Sequence, residues 1–387
     1  MKNIIRYILT VIRMTFWKLL WIRPVQTNVY IFMSYDGEQY SDSPRVLSEY
    51  IHEKKPEIKI VWAMNEKKII SEIPDYVKQI GRHSFEFKKT ITSAAVIVTN
   101  NSISSYIPVR RKQIFLNTWH GGSPTKTVGF CETNPNPYYK YHFSIQDNKT
   151  TAILSSSRFF SEDVVKKSFR FRKTEILELG LPKNDILFRN HKVVEEKVRK
   201  YFGLNKETGI VLYAPTFRGD ANNSTFLNKN DMILPRECIN WFEKKYCRRF
   251  VFLFRAHHTM KIANVDGSIS ATDYPDMQDL LCAADFLITD YSSCMHDFSL
   301  MNKPVFLYIP DYTDYMKDRG FYYDIPTMPF PYAYNRTELE KIISEFNKEK
   351  YISEVKDYHK RMGNLEDGKA TERVYEWLEG RLKIKRK

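Results

Sequence analysis

The chain has 387 residues, 43% of them hydrophobic and 14% aromatic, which is enough to fill two domains of ordinary size and too much for a disordered chain. Sixty Lys and Arg against 46 Asp and Glu leave a net charge of +14, which suits an anionic partner such as nucleic acid, phospholipid head groups or a phosphorylated substrate. The five cysteines, Cys131, Cys238, Cys247, Cys282 and Cys294, are scattered with no CxxC pair, so neither a disulfide framework nor a zinc site is indicated and a reducing cytoplasm fits.

In residues 1–24, MKNIIRYILTVIRMTFWKLLWIRP, Arg6, Arg13 and Lys18 interrupt every apolar run well short of the roughly 20 residues that cross a bilayer. The segment is therefore expected not to span. At helical spacing Lys2, Arg6 and Arg13 gather beside a face carrying Ile5, Ile8, Leu19 and Ile22, with Trp17 and Trp21 suited to an interfacial depth. This pattern describes an amphipathic helix on an anionic membrane surface; a helix packed on the domain's own body is the other reading. Pro24 is expected to stop it.

After Pro24, NVYIFMSY reads as a buried strand and SPRVLSEYIHEK as a helix with Pro44 near its start. IKIVWAM, AAVIVTN and KQIFLNTW continue as strands, and HFSIQ, AILSSS and TEILELG resume the series around a helix over SEDVVKKSF. A charged helix over HKVVEEKVRKYFG leads to GIVLYAPTF, where a second series begins: RFVFLFRAHH, ISATDY, a helix over MQDLLCAA, DFLITDY and PVFLYIP. Short β-branched or aromatic strands alternating with helices predict parallel sheets covered on both faces. The fold class is α/β, with two doubly wound Rossmann-like domains over 25–200 and 201–387 behind the helix of 1–24. Ligands of such folds bind outside the carboxyl ends of the strands.

The chemistry-bearing residues stand just after strands. His120 closes KQIFLNTW before Gly121 and Gly122; an imidazole with an unperturbed pKa of about 6.5 is suited to exchange protons near neutrality, which makes it the base candidate. A structural Trp–His corner is the alternative. Lys126 follows as a phosphate or carboxylate partner. LYAPTFRGD places Thr216 and Arg218 after a strand, a hydroxyl and a forked donor for an anionic oxygen. FLFRAHH ends with Arg255, His257 and His258, and strand alternation puts Arg255 and His257 on one face. In DFLITDYSSCMHDF, Ser292 and Ser293 stand at the start of a helix, where hydroxyls and unpaired N–H groups suit a phosphate. Capping by Ser292 or Asp290 is the competing use. Asp297, a turn further on, can hold a hydroxyl of a small polyol, and Asp290 is expected to orient the turn. Walker, GxGxxG, HExxH and DxD motifs are absent from the sequence, and no metal site is expected.

NTWHGGSPTKTVG, GLPKND, LYAPTFRGD, RAHH, DMQDLLCAADFLITDYSSCMHDF, NKPVFLYIPDYTDY, RGFYYDI and DGKATERV occur in the order seen in the CDP-glycerol glycerophosphotransferase family. YSDSPRVLSEYI resembles that family's first helix, and the likeness runs from about residue 29 to 376. It implies a GT-B fold, an acceptor-side N-terminal domain and a CDP-alcohol-binding C-terminal domain. It also implies His120 as base, with His257, Ser292 and Ser293 on the donor. Ser123, Lys183 and the residue after His257 depart from the usual family pattern, which bears on the shape of the acceptor and phosphate pockets.

The expected activity is transfer of glycerol phosphate from CDP-glycerol to a hydroxyl of a lipid-linked saccharide or of a teichoic-acid-like or capsular polymer, with release of CMP. Ribitol phosphate transfer from CDP-ribitol and a GT-B nucleotide-sugar transferase are the alternatives. No cofactor is expected, and dispersed basic residues without a binding module argue against nucleic acid as the partner. The place implied is the cytoplasmic face of the cell membrane, as a peripheral protein.

Overall fold

The computed structural model describes residues 2–66, 73–216, 218, 232–256 and 265–386. In chain order the elements are α1 (Lys2–Lys18), β1 (Gln26–Met33), α2 (Asp42–Lys54), β2 (Lys59–Met64), β3 (Lys78–Gly81), α3 (Phe85–Ile91), β4 (Ala94–Thr99), β5 (Ile114–Asn117), α4 (Tyr139–Lys149), β6 (Ala152–Leu154) and β7 (Glu175–Leu177). Then come α5 (Lys192–Phe202), β8 (Gly209–Tyr213), α6 (Pro235–Tyr246), β9 (Phe250–Phe254), β10 (Ile269–Ser270), α7 (Met277–Ala283), β11 (Phe286–Thr289) and α8 (Cys294–Ser299). The chain closes with β12 (Val305–Tyr308), α9 (Tyr312–Arg319), β13 (Tyr332–Ala333), α10 (Arg336–Ser344), α11 (Lys348–Met362) and α12 (Ala370–Arg386). HFSIQ, read as a strand, lies inside α4: a short apolar run has no period long enough to tell the two apart.

Two compact units result. The first comprises Met1–Gly122, Val128–Asp185 and Leu365–Lys387, the second Ser123–Thr127 and Ile186–Asn364. The change of unit falls at Asp185 rather than near residue 200, and α12 belongs to the first unit instead of the second.

The first unit's sheet is seven-stranded in the order β3-β2-β1-β4-β5-β6-β7, parallel at every pairing. Every residue of β4 and β5 is buried, an unbroken apolar run explained by helices on both faces. One face packs Tyr30, Phe32 and Trp62 against Leu47 and Ile51 of α2 and Val374, Leu378 and Leu382 of α12. The other packs Ile31, Ile97 and Phe115 against Phe87 and Ile91 of α3, with Trp17 of α1 alongside.

α1 docks on this unit along one side. Tyr7 stacks on Tyr141 at 4.6 Å, Thr10 Oγ1 lies 3.1 Å from the Tyr138 hydroxyl, and Trp17 meets Phe87 and Tyr106. Its opposite side presents Ile4, Ile5, Ile8, Leu9, Ile12 and Phe16, each between 46% and 66% exposed. The helix thus packs on its own body and still leaves an apolar stripe outward, so the two readings of its sequence are not exclusive. Among the described residues no helix is long and apolar enough to cross a membrane.

The second unit's sheet is six-stranded, β10-β9-β8-β11-β12-β13, again parallel throughout. A phenylalanine-rich layer of Phe242, Phe252, Phe254 and Phe306 fills one face, and Leu212, Leu253 and Leu287 with Met295, Phe298 and Val355 fill the other. In each sheet the direction of winding reverses once, at β1/β4 and at β8/β11. Diverging loops leave a crevice at such points, where doubly wound folds hold their ligands.

Candidate active site

The first unit's constellation starts at the end of β5. Asn117 Oδ1 accepts the Trp119 N–H at 2.8 Å, and Trp119 adopts a left-handed φ of 53°, which reverses the chain and turns His120 back. His120 Nδ1 lies 3.1 Å from the Asn100 carbonyl at the exit of β4. A carbonyl only accepts, so Nδ1 carries the hydrogen and the neutral ring keeps its lone pair on Nε2, the nitrogen that can take a proton. Trp119 and Tyr35 flank the ring at 4.6 and 6.1 Å between centroids. Tyr35 is fixed in turn, its N–H on Asn100 Oδ1 at 2.8 Å and its hydroxyl on Asp42 Oδ2 at 2.8 Å. Tyr35, Asp36 and Asp42 all have positive φ, from 46° to 65°, a concentration of backbone strain of the kind found at functional sites.

Gly122 follows because nothing larger fits: a Cβ there would lie 1.7 Å from Ser156 Oγ. Lys183, in GLPKND, donates from Nζ to the His120 carbonyl at 3.2 Å. Asp185 of the same motif accepts the N–H groups of Ala370 and Thr371 at 2.8 Å each, and Asn184 Nδ2 donates to Glu366 at 2.9 Å. GLPKND and DGKATERV are thus two halves of one joint that caps α12.

The second unit receives the stretch just after the His–Gly–Gly turn. Lys126 pairs antiparallel with Phe321, Tyr322 N–H donates to the Thr125 carbonyl at 3.0 Å, and Thr127 N–H to Gly320 at 3.1 Å. At the β8/β11 reversal, Asp290 is 1% exposed and accepts from Thr216 N–H (2.9 Å), Thr216 Oγ1 (2.8 Å), Tyr291 N–H (2.5 Å) and Arg218 Nη1 (2.8 Å). It orients the turn. Arg218 also grips Asp311 with Nε at 2.5 Å and Nη2 at 3.0 Å. Burial works against its charge, but Asp290 and Asp311 outweigh that and raise its pKa above the ordinary value. Burial, then Asp311 and Asp290, push the Tyr291 phenol up as well, so it stays a donor to Asp311 at 3.0 Å.

Thr216 and Arg218 therefore brace the turn. Ser292 and Ser293 are half-buried at its tip; Ser292 Oγ accepts weakly from Cys294 N–H at 3.5 Å, and Ser293 makes no side-chain cap bond. Asp297 is buried and accepts from Gln278 Nε2 at 3.2 Å. Arg255 donates to the carbonyls of Ala271 and Tyr274 at 3.3 and 2.8 Å, fixing the loop after β10. His257 and His258 lie outside the described residues.

One group the sequence pattern does not flag is His296 on α8. It is buried, with Tyr358 OH 3.3 Å from Nδ1 and Tyr323 OH and Thr125 Oγ1 at 3.3 and 3.4 Å from Nε2. Burial, helped by His359, lowers its pKa to about 3, so it is a neutral strut tying α8 to the segment that carries Lys126. Only the helical position of a lone His amid Met295, Phe298 and Ser299 could have signalled it.

Two all-parallel α/β units, each with polar groups gathered at its strand carboxyl ends, make a fold of GT-B type. The chain matches the CDP-glycerol:poly(glycerophosphate) glycerophosphotransferase family over residues 15–380 and belongs to it. It is 27% identical to the teichoic acid poly(glycerol phosphate) polymerase of Bacillus spizizenii, over 94% of this chain and 95% of that one. To the teichoic acid glycerol-phosphate transferase of Staphylococcus aureus it is 28% identical, over 96% and 98%. It spans 48% of the longer poly(glycerol phosphate) polymerase of Bacillus subtilis, also at 28%. The solved structure of the wall teichoic acid polymerase TagF shares the fold, with a TM-score of 0.81 at 24% identity over 99% of this chain and 98% of that one. The protein is accordingly an enzyme of glycerol phosphate transfer from CDP-glycerol.

Proposed function

We propose that the acceptor is a hydroxyl of a lipid-linked saccharide or growing polymer, and that His120 is the base that activates it. As the acceptor oxygen attacks the β-phosphorus of CDP-glycerol, Nε2 takes its proton. The new P–O bond forms while the bond to CMP breaks, and CMP leaves with the electron pair. Ser292, Ser293 and Lys126 are assigned to the donor's phosphates, and His257, outside the described residues, to the donor by family likeness. Thr216 and Arg218 hold Asp290 and with it the turn that presents the serines, Arg255 holds the loop after β10, and Asp297 ties α8 to α7, so the groups that meet the donor are set before it arrives.

The observation that carries the proposal is the His120 ring, oriented by the Asn100 carbonyl at 3.1 Å with its basic nitrogen on the other side. His120→Ala should lower CMP release about 100 to 10,000-fold while leaving CDP-glycerol binding, measured by calorimetry, near that of the parent. Full turnover in that variant would refute the assignment.

The exposed stripe of α1 supports peripheral attachment to an anionic membrane at the cytoplasmic face. Each such Ile, Leu or Phe contributes up to about 1.5–3 kcal/mol when fully removed from water, and the basic residues beside the stripe add attraction to anionic lipid.

A further inference from the structure

The first unit carries a groove to which the transfer step assigns no role. It runs beneath α1 as two cavities of about 570 and 320 Å3 that share Arg13, Asp36, Ser104 and Tyr106. Helix α1 forms one wall of the larger cavity, and residues 102–106 after β4 form the other. Arg6 and Arg13 both line it, held over aromatic rings: Arg6 lies 4.1 Å from the Tyr138 centroid and Arg13 5.9 Å from Tyr106. No ion pair engages either guanidinium among the described residues, because Asp36, the carboxylate of this cavity, is bound to Arg82 at 2.9 Å.

The opposite wall is rigid and rich in hydroxyls. Gln146 Nε2 donates to the Ile103 carbonyl at 2.6 Å and Lys149 Nζ to the Ser104 carbonyl at 2.8 Å, bracing from behind a loop that brings Ser102, Ser104 and Ser105 to the groove. His142 lies 3.1 Å from Ser105 Oγ, and burial, then Lys149 and Arg6, lower its pKa to about 4. His142 is therefore neutral, and the charge of the groove is that of Arg6 and Arg13 against an Asp36 already engaged by Arg82. At the rim, Ile5 and Leu9 continue into the exposed apolar stripe of α1. The inner end adjoins the catalytic histidine's support, since Asp36 and Ser102 lie one and two residues beyond Tyr35 and Asn100, which brace His120.

A cationic, hydroxyl-lined groove that opens onto an apolar helix face matches an amphiphile with a phosphate head. We propose that it binds the phosphate head of the lipid that carries the acceptor, with the hydrocarbon running out over Ile5 and Leu9 and the saccharide directed toward His120. The forks of Arg6 and Arg13 and the serine hydroxyls supply charge-assisted bonds to the phosphate oxygens. This rests on the reading of a lipid-linked acceptor and of His120 as base.

The test is calorimetric titration of the full chain with farnesyl diphosphate, a short mimic of such a carrier, with no CDP-glycerol present. The parent should bind it, and Arg6→Ala/Arg13→Ala should weaken binding about tenfold or more. Arg6→Lys/Arg13→Lys should recover part of the loss. Ser102→Asp, which leaves α1 intact, should also weaken binding about tenfold by placing a like charge in the groove. The same variants should raise KM for a polyprenyl-diphosphate-linked acceptor in micelles by the same factor. No binding by the parent, or equal affinity for inorganic diphosphate, would overturn the proposal. So would loss of phosphatidylglycerol-vesicle binding with farnesyl diphosphate affinity unchanged, which would assign the groove to bulk lipid. Were the transfer reading itself wrong, the parent would release no CMP with any acceptor, an outcome separate from the titration.

Discussion

Acidification should loosen the second unit through one side chain. In the unfolded chain His296 takes up a proton near its ordinary pKa of 6.5, whereas in the folded unit burial delays this to about 3. Between those values the unfolded state holds one more proton, so stability falls as pH falls, by about 1.4 kcal/mol per pH unit. By pH 4.5 the loss is about 3 kcal/mol. His296→Phe removes the contacts to Tyr358, Tyr323 and Thr125 and should cost about 1–3 kcal/mol at pH 7.5. The variant's stability should nonetheless decline less steeply with acid, and the two curves should cross near pH 5. Urea unfolding at pH 7.5, 6, 5 and 4.5, followed by hydrogen exchange of peptides spanning 286–308, reads both slopes. Parallel slopes for parent and variant would refute the claim that a buried neutral imidazole holds α8.

Arg218→Ala leaves Asp290, 1% exposed, and Asp311 without their cation, and should cost about 3–5 kcal/mol; an unchanged Tm would contradict this. Gly122→Ala should cost about 1–3 kcal/mol and depress CMP release, because its Cβ would meet Ser156 Oγ at 1.7 Å. Pairing it with Ser156→Gly should restore much of both, and no recovery in the double variant would place the defect elsewhere. Ile8→Glu/Ile12→Glu, on the exposed stripe of α1, should release the protein from anionic vesicles without lowering Tm; retained vesicle binding would reject that stripe as the attachment surface.

The strands were legible because parallel strands buried on both faces become apolar runs, as β4 and β5 are at every position. The positions of His120, Thr216 and Ser292 just after strands followed from the same pattern. What local pattern cannot carry is pairing over long range. Arg218 reads as an anion-binding fork until Asp311, far along the chain, is found gripping it. Likewise α12 is amphipathic whichever sheet it covers, and it takes Val374, Leu378 and Leu382 over Trp62, with Asp185 on its first N–H groups, to assign it to the first unit.

That return of α12 orders the birth of the protein. The ribosome makes it after 186–364, so the layer of Tyr30, Phe32 and Trp62, covered at first by α2 alone, waits for Val374, Leu378 and Leu382 while that whole segment is synthesised and can fold. The amino-terminal half of the chain is thus the last to be completed. Shortening the carboxyl end by a few helical turns would be felt in the layer built from the earliest strands.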